Sequence, residues 1–224
     1  MQFSDKKHLN HPLFSRDDVT ILEDVPVYEG FFKTNRLTLE HQLFERAELD
    51  AGLNGKRHSA DTITSSVLVR EIVHRQIAVA AVLYDKEHDA IGLIEQFRAG
   101  AIDDALSPWT LEGVAGMQDH VDESLDQLMR RELIEEAGIE DCTLHPLIRY
   151  FPSPGGWGEQ IQLYCAVCDL SGKQGQYGLA DEGEDLYLHV FKAQDVFDVL
   201  YSSRINNAAT LIGLQWLQQH RHSL

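Results

Sequence analysis

Residues 116–139 read GMQDHVDESLDQLMRRELIEEAGI, and the spacing predicts one helix fed by a short loop. Leu125, Leu128, Met129 and Leu133 recur at helical intervals, so this face is expected against a core. Asp122 is the expected N-cap, and Gly138 the expected stop past the last turn. Glu132, Glu135 and Glu136 fall at i, i+3 and i+4, which puts three carboxylates on one face within about one turn. Like charges so placed disfavour an exposed helix by roughly 0.2–0.5 kcal/mol per pair. Taken alone, such a run is a solvated acidic face. Arg130 and Arg131 neutralise part of it from the preceding turn. A hard divalent cation would neutralise more, because Mg²⁺ favours carboxylate oxygens together with substrate phosphates.

The 224 residues suffice for one large domain, or one domain with a sizeable extension, and the 43% apolar content is that of an ordinary folded chain. The formal charge of −17 argues against a nucleic-acid backbone as partner, since no basic tract offsets it. It leaves a phosphate substrate open, because cations and a few placed arginines hold one locally. No apolar run reaches the roughly 20 residues of a membrane span. The first residues, MQFSDKKHLNHPLF, lack the apolar centre of a secretory signal, and the expected compartment is the cytoplasm. The odd number of cysteines, Cys142, Cys165 and Cys168, fits a reducing compartment. Cys165 and Cys168 lie in the apolar run IQLYCAVCDL, where residues three apart on a strand face opposite ways, so buried thiols are expected rather than a metal pair.

Around the helix the chain reads mainly as strands. Residues 1 to about 18 form a polar arm, and Val19–Leu22 a short strand. Val25–Leu43 reads as a β ribbon turning at Thr34–Arg36, residues 48–62 as a loop, and Ser66–Val73 as a further strand. This first part, residues 1–73, is expected to be a β-rich extension, and residues 74–224 the main domain. Ile77–Leu83 is a buried-type strand, joined through the turn Lys86–Asp89 to Ala90–Phe97. After a loop at 99–108, Trp109–Val114 delivers Gly116. Thr143–Phe151, Ile161–Val167 and Leu186–Phe191 are strands, with Gly/Pro-rich loops at 153–159 and 171–185. Helices at Ala193–Tyr201 and Asn206–His220 finish the chain; the second carries an apolar stripe of Leu211, Ile212, Leu214, Trp216 and Leu217. Strands, a helix, more strands and terminal helices predict a mixed α/β sandwich.

The run from Glu123 to Ile139 resembles the signature of the Nudix hydrolases, G-x5-E-x7-R-E-U-x-E-E-x-G-U with U apolar. Every fixed position from Glu123 onward matches. Six residues rather than five separate Gly116 from Glu123; the insertion leaves the helical glutamates in register and bears on the backbone contact from Ala115. Within that family the chain looks like the bacterial ADP-ribose pyrophosphatases, from about Tyr28 onward. The supporting stretches are YEGFF (28–32), VREI (69–72), LIEQFR (93–98), SPGG (153–156), GLADEGED (178–185) and INNAA…LQWLQ (205–218). The proline-containing loop Tyr150–Gly156 occupies the place of that substrate class's marker.

The resemblance implies an α/β/α sandwich with a mixed sheet and Mg²⁺-dependent hydrolysis of ADP-ribose to AMP and ribose 5-phosphate, with Mn²⁺ as the alternative metal. Glu132, Glu135, Glu136, Glu184 and the backbone of Ala115 would hold metal. Glu182 would act as base, Glu135 would assist, and Arg131 would orient the carboxylates, with Glu123 at the helix start in a supporting place. Arg98 would meet the substrate phosphate, Arg70 would be a second arginine reaching the ligand, Glu71 would contact its adenine end, and Glu159 would bring a further carboxylate near the metals; Phe31 and Phe32 either stack on adenine or pack under the β extension. Residues 1–73 would exchange across a homodimer. Two rivals stand beside this reading: another nucleoside diphosphate sugar or dinucleotide as substrate, and a non-catalytic Nudix-fold ADP-ribose sensor.

Overall fold

A computed structural model describes Leu9 and residues 11–44, 64–120, 122–179 and 183–224. The chain divides into two compact units, one made of Met1–Arg75 with Gly155–Gly158, the other of Gln76–Pro154 with Glu159–Leu224. The expected loop at 48–62 lies outside the described residues.

The described residues of the first unit form a three-stranded antiparallel sheet in the order β1 (Val19–Glu29), β2 (Lys33–His41), β3 (Leu68–His74). The short strand expected at Val19–Leu22 is the start of the eleven-residue β1. The ribbon turns at Gly30–Phe32, not at Thr34–Arg36, since Glu29 already pairs with Lys33. The polar trio sits inside β2 because its side chains find partners across the sheet. Asn35 donates to Asp24 at 2.5 Å, and Arg36 pairs with Glu71 at 3.2 Å. Among the described residues before Ala78, no apolar side chain is buried. β1 leaves Ile21, Leu22, Val25, Val27 and Tyr28 exposed.

The second unit is a sandwich around an eight-stranded mixed sheet. Its main path runs β10 (Gly175–Tyr177), β11 (Leu186–Lys192), β5 (Ala90–Phe97), β4 (Ala78–Asp85), β9 (Ile161–Val167), β8 (Thr143–Tyr150). Among the described strands of this sheet, only β4 and β9 pair in parallel. All eight residues of β4 are buried, as a strand covered on both faces requires. Alternation sends Val79, Ala81 and Leu83 to one face and Val82 and Tyr84 to the other. On the first face lies α1 (Leu125–Ala137), with Leu128, Met129 and Leu133 fully buried, roughly 1.5–3 kcal/mol each. On the second lie α2 (Ala193–Asp198) and α3 (Ala208–His220). α3 approaches closely through Gly213, where a Cβ would meet Val82 Cγ1 at 2.7 Å. Cys165 and Cys168 are buried on opposite faces, as their spacing predicts.

β4 and β5 part midway, and this opening builds the site. β5 pairs with β4 only over Ala90–Gly92 and then with β6 (Trp109–Glu112). β4 pairs over Ala78–Ala81 with β7 (Val114–Met117). Gly113 links β6 to β7 across the fork, and a Cβ there would lie 2.3 Å from Ala81 O. Its N–H donates to Thr210 Oγ1 at 3.0 Å.

Candidate active site

α1 begins at Ser124 rather than at Asp122. The Ser124 hydroxyl accepts from Gln127 N, and the Gln127 side chain accepts from Ser124 N at 2.9 Å, a reciprocal cap. Asp122 stands two residues outside this box. Gly138 closes the helix at φ 62°, its N–H bonded to Ile134 O, as expected. The helix thereby lays its acidic face along β7.

Glu136 is buried, and Oε2 accepts from Ala115 N at 3.0 Å. Burial, with Glu132 and Glu184 close by, lifts its carboxyl to about 8 against that hydrogen bond and the pull of Arg98. Glu132 leans over Gly116: a Cβ at 116 would sit 2.1 Å from Glu132 Oε1 and Cδ. The glycine is needed here for space. Arg131 threads the acids together, reaching Glu135 at 2.8 Å, Glu132 at 3.0 Å and Glu123 at 3.3 Å. Burial alone would lower the guanidinium's pKa, but these carboxylates hold it above its ordinary value. Arg130 turns away to the Cys142 carbonyl at 3.3 Å, so Arg131 carries the neutralisation expected of both. The positioning part read for Arg131 and the supporting place read for Glu123 thus have direct partners. Gln118 adds a bond from Nε2 to Glu123 O at 2.7 Å, so the loop with the extra residue is tied to the helix start.

Glu184 acts electrostatically on Glu136 and is held beside Gly178 and Leu179. Gly178, at φ 99°, lies where a Cβ would be 2.9 Å from Glu184 Cβ. Leu179 N donates to Glu184 Oε2 at 3.3 Å, and Gly178 N reaches Glu135 O at 3.4 Å. Glu182, the base that the resemblance implies, lies outside the described residues. Arg98 follows β5 and feels Glu136 and Glu184 electrostatically. Its guanidinium is gripped by buried Glu112: Nη2 to Oε2 at 2.8 Å, and Nε to Oε2 and Oε1 at 3.2 and 3.3 Å. Thr110 donates to Glu112 Oε1 at 2.7 Å.

Sequence reasoning passed over Glu112. The signal was present in WTLEGV, where Thr110, Glu112 and Val114 alternate toward the α1 face and place a glutamate inward. Glu159 lies in the second unit and, with burial, raises the Tyr150 phenol to about 12. Arg70, Glu71 and Phe31 belong to the first unit. Arg70 donates to Val69 O at 2.8 Å, Glu71 pairs with Arg36, and exposed Phe31 packs edge-on against Phe32, which in turn meets Trp157.

The donor set around Glu136 consists of carboxylate oxygens: Arg131 pairs with Glu132 and Glu135, while burial and neighbouring acids disfavour the charged form of Glu136 where no cation offsets them. That chemistry fits a hard divalent cation. A second acid–imidazole group, Asp85, His88 and Asp169, is of a different kind. Asp85 Oδ1 accepts from Glu87 N and His88 N, and Oδ2 from Leu170 N and His88 Nδ1. Four donors occupy its two oxygens, and the cluster reads as a brace for the β4–β5 turn.

Residues 74–207 match the family model described as NUDIX domain. The chain is 35% identical over 221 residues to an ADP-ribose pyrophosphatase of Haemophilus influenzae, covering 97% of this chain and 94% of that one. It is 36% identical over 211 residues to the ADP-ribose pyrophosphatase of Escherichia coli K12, covering 94% and 93%. A GDP-mannose pyrophosphatase of Yersinia pestis is 29% identical over 162 residues, 71% of this chain and 80% of that one. Among solved structures, a crystal structure of an ADP compounds hydrolase superposes with a TM-score of 0.65 over 92% of this chain and 98% of that one; at 20% identity the likeness bears on the fold.

Proposed function

This chain belongs to the Nudix family, and from that premise we propose that it hydrolyses the pyrophosphate bond of ADP-ribose, releasing AMP and ribose 5-phosphate with Mg²⁺ as metal. The observation that carries the reading is the glutamate face of α1: Glu132 lies against Gly116 and pairs with Arg131, which also holds Glu135, while buried Glu136 feels Glu132, Glu184 and Arg98 electrostatically. The substrate comes from two relatives, each at least 35% identical over at least 94% of this chain, that carry the name ADP-ribose pyrophosphatase.

Glu132, Glu136 and Glu184, with the Ala115 carbonyl, are the residues that would hold the metal, and Glu135 stands beside them. A bound divalent cation supplies charge neutralisation on the phosphate oxygens and eases deprotonation of water. The protein's own part is positioning and charge placement. Arg131 fixes the carboxylates of Glu132 and Glu135 in one arrangement. Arg98 meets the diphosphate with fixed positive charge. Glu182, two residues before Glu184 on the 178–185 loop, takes the proton from the attacking water. Arg70 is offered to the ligand as a second arginine, Glu71 and Phe31 to its adenosine end, and Glu159 to the metal side.

The first unit, without a buried apolar side chain among its described residues, supports a homodimer in which residues 1–73 exchange between copies. Free cysteines, two of them buried, suit cytoplasmic life. Among the described residues no helix is long and apolar enough to cross a membrane.

The relative that acts on GDP-mannose favours a second reading, in which the same chemistry serves another nucleoside diphosphate sugar. A panel of nucleoside diphosphate sugars with Mg²⁺, products resolved by chromatography, separates the two. ADP-ribose leading the panel, with AMP and ribose 5-phosphate as products, is expected. GDP-mannose leading would move the proposal to the second reading.

A further inference from the structure

An arginine offers two forked edges, one made by Nε–H and one Nη–H, the other by the two Nη groups. In Arg98 the first edge is fully used. Nε and Nη2 both point at Glu112, whose carboxylate accepts at 2.8, 3.2 and 3.3 Å. Among the described residues nothing engages Nη1, and the side chain is 45% exposed. Glu112 is held in turn. It is 4% exposed, Thr110 donates to it at 2.7 Å, and β6 fixes both residues opposite β5, with Gln96 facing Thr110 and Ile94 facing Glu112. The chain of contacts runs Thr110 to Glu112 to Arg98, and it ends on a free fork aimed away from the sheet's own carboxylate.

We infer that Glu112 is a positioning residue for nucleoside diphosphate binding: by occupying the Nε edge of Arg98, it presents the Nη1–Nη2 edge to the diphosphate oxygens, with Thr110 holding Glu112 in place. Two parallel N–H···O bonds from a preset fork recognise phosphate better than a swinging cation does. The site is rich in carboxylates, and Arg98 would otherwise be free to swing toward Glu136 or Glu184, its electrostatic neighbours. In that posture its fork would be spent on the protein. Glu112 prevents this while leaving three N–H groups for a ligand. The inference rests on the reading of Arg98 as the phosphate-facing cation of a Nudix hydrolase.

The test is a double-mutant cycle read by calorimetric binding of ADP to the full-length protein with Mg²⁺, alongside KM and kcat for ADP-ribose. Arg98→Ala is expected to weaken ADP about tenfold or more, and Glu112→Gln by about fivefold, because a neutral amide cannot hold the guanidinium edge. In the Arg98→Ala background, Glu112→Gln should change ADP binding by less than about twofold, the mark of a residue acting through another. KM should rise in Glu112→Gln while kcat stays within about threefold. If that variant fails to fold, Thr110→Val keeps the carboxylate and should weaken ADP about twofold, again only when Arg98 is present. Equal losses from Glu112→Gln or Thr110→Val in both backgrounds, or wild-type binding by Arg98→Ala, would overturn the inference. A wild-type protein that binds ADP yet leaves ADP-ribose intact would remove the proposed substrate and leave this inference standing.

Discussion

At residue 116 a side chain would collide with the Glu132 carboxylate, 2.1 Å from a Cβ. The obstacle is the end of a flexible side chain, so Gly116→Ala should fold and displace Glu132 instead. The Mg²⁺ concentration for half-maximal activity is expected to rise at least about tenfold, with Tm within about 3 °C of wild type. An unchanged Mg²⁺ requirement would remove Glu132 from the metal set. Glu136 gives a pH signature in the metal-free protein. Burial and neighbouring acids raise its carboxyl from 4.5 to about 8. A folded value above the unfolded one means the native state holds the extra proton between them. Stability of the metal-free protein therefore falls as pH rises from about 4.5 to about 8. Thermal melts in chelator across that range should show the decline, and Glu136→Gln should flatten it. An equal slope in the variant would sink the assignment. The signature glutamates were legible in sequence because a helix converts i, i+3, i+4 spacing into one face. Glu112 was passed over because its partner, Arg98, is fourteen residues away, and only the β5–β6 register brings them together.

Elements follow where their own residues decide and depart where partners do. The β4–β5 hairpin turns at the expected Lys86–Asp89, and β9 occupies the expected Ile161–Val167, because apolar runs bounded by polar residues leave little choice. The ribbon of the first unit turned earlier than its polar trio suggested, since Asn35 and Arg36 are satisfied across strands rather than in a turn. β10 was hidden in the loop at 171–185: three residues, Gly175–Tyr177, carry too short a pattern to read. The hairpin also yields a stability prediction. Buried Asp85 accepts three backbone N–H groups, from Glu87, His88 and Leu170, together with the His88 ring. Asp85→Ala strands those donors and should cost about 2–4 kcal/mol in denaturant unfolding. Activity measured well below the melting transition should stay near wild type, since the turn holds no residue of the acidic cluster around Glu136. A loss below about 0.5 kcal/mol would show that water replaces the carboxylate.

For the molecule as a whole, the sandwich was readable from the order of its elements, while for the first unit only the resemblance offers a role. Composition could not reveal that residues before Ala78 bury no apolar side chain among those described, because burial is a property of partners. The exposed Ile21, Val25, Val27 and Tyr28 on β1 make the homodimer testable. Light scattering at micromolar concentration should give twice the chain mass, and Val27→Asp should shift it toward the monomer. A wild-type monomer would contradict the exchange of residues 1–73. The central claim is that Glu136 and its neighbours form the hydrolytic metal site, and it is met most directly by comparing wild type with Glu136→Gln on ADP-ribose and Mg²⁺. The account predicts AMP and ribose 5-phosphate from wild type, and at least a roughly 100-fold loss of kcat/KM in the variant. A folded Glu136→Gln protein that retains its rate, or a wild type that leaves ADP-ribose uncleaved, would contradict it.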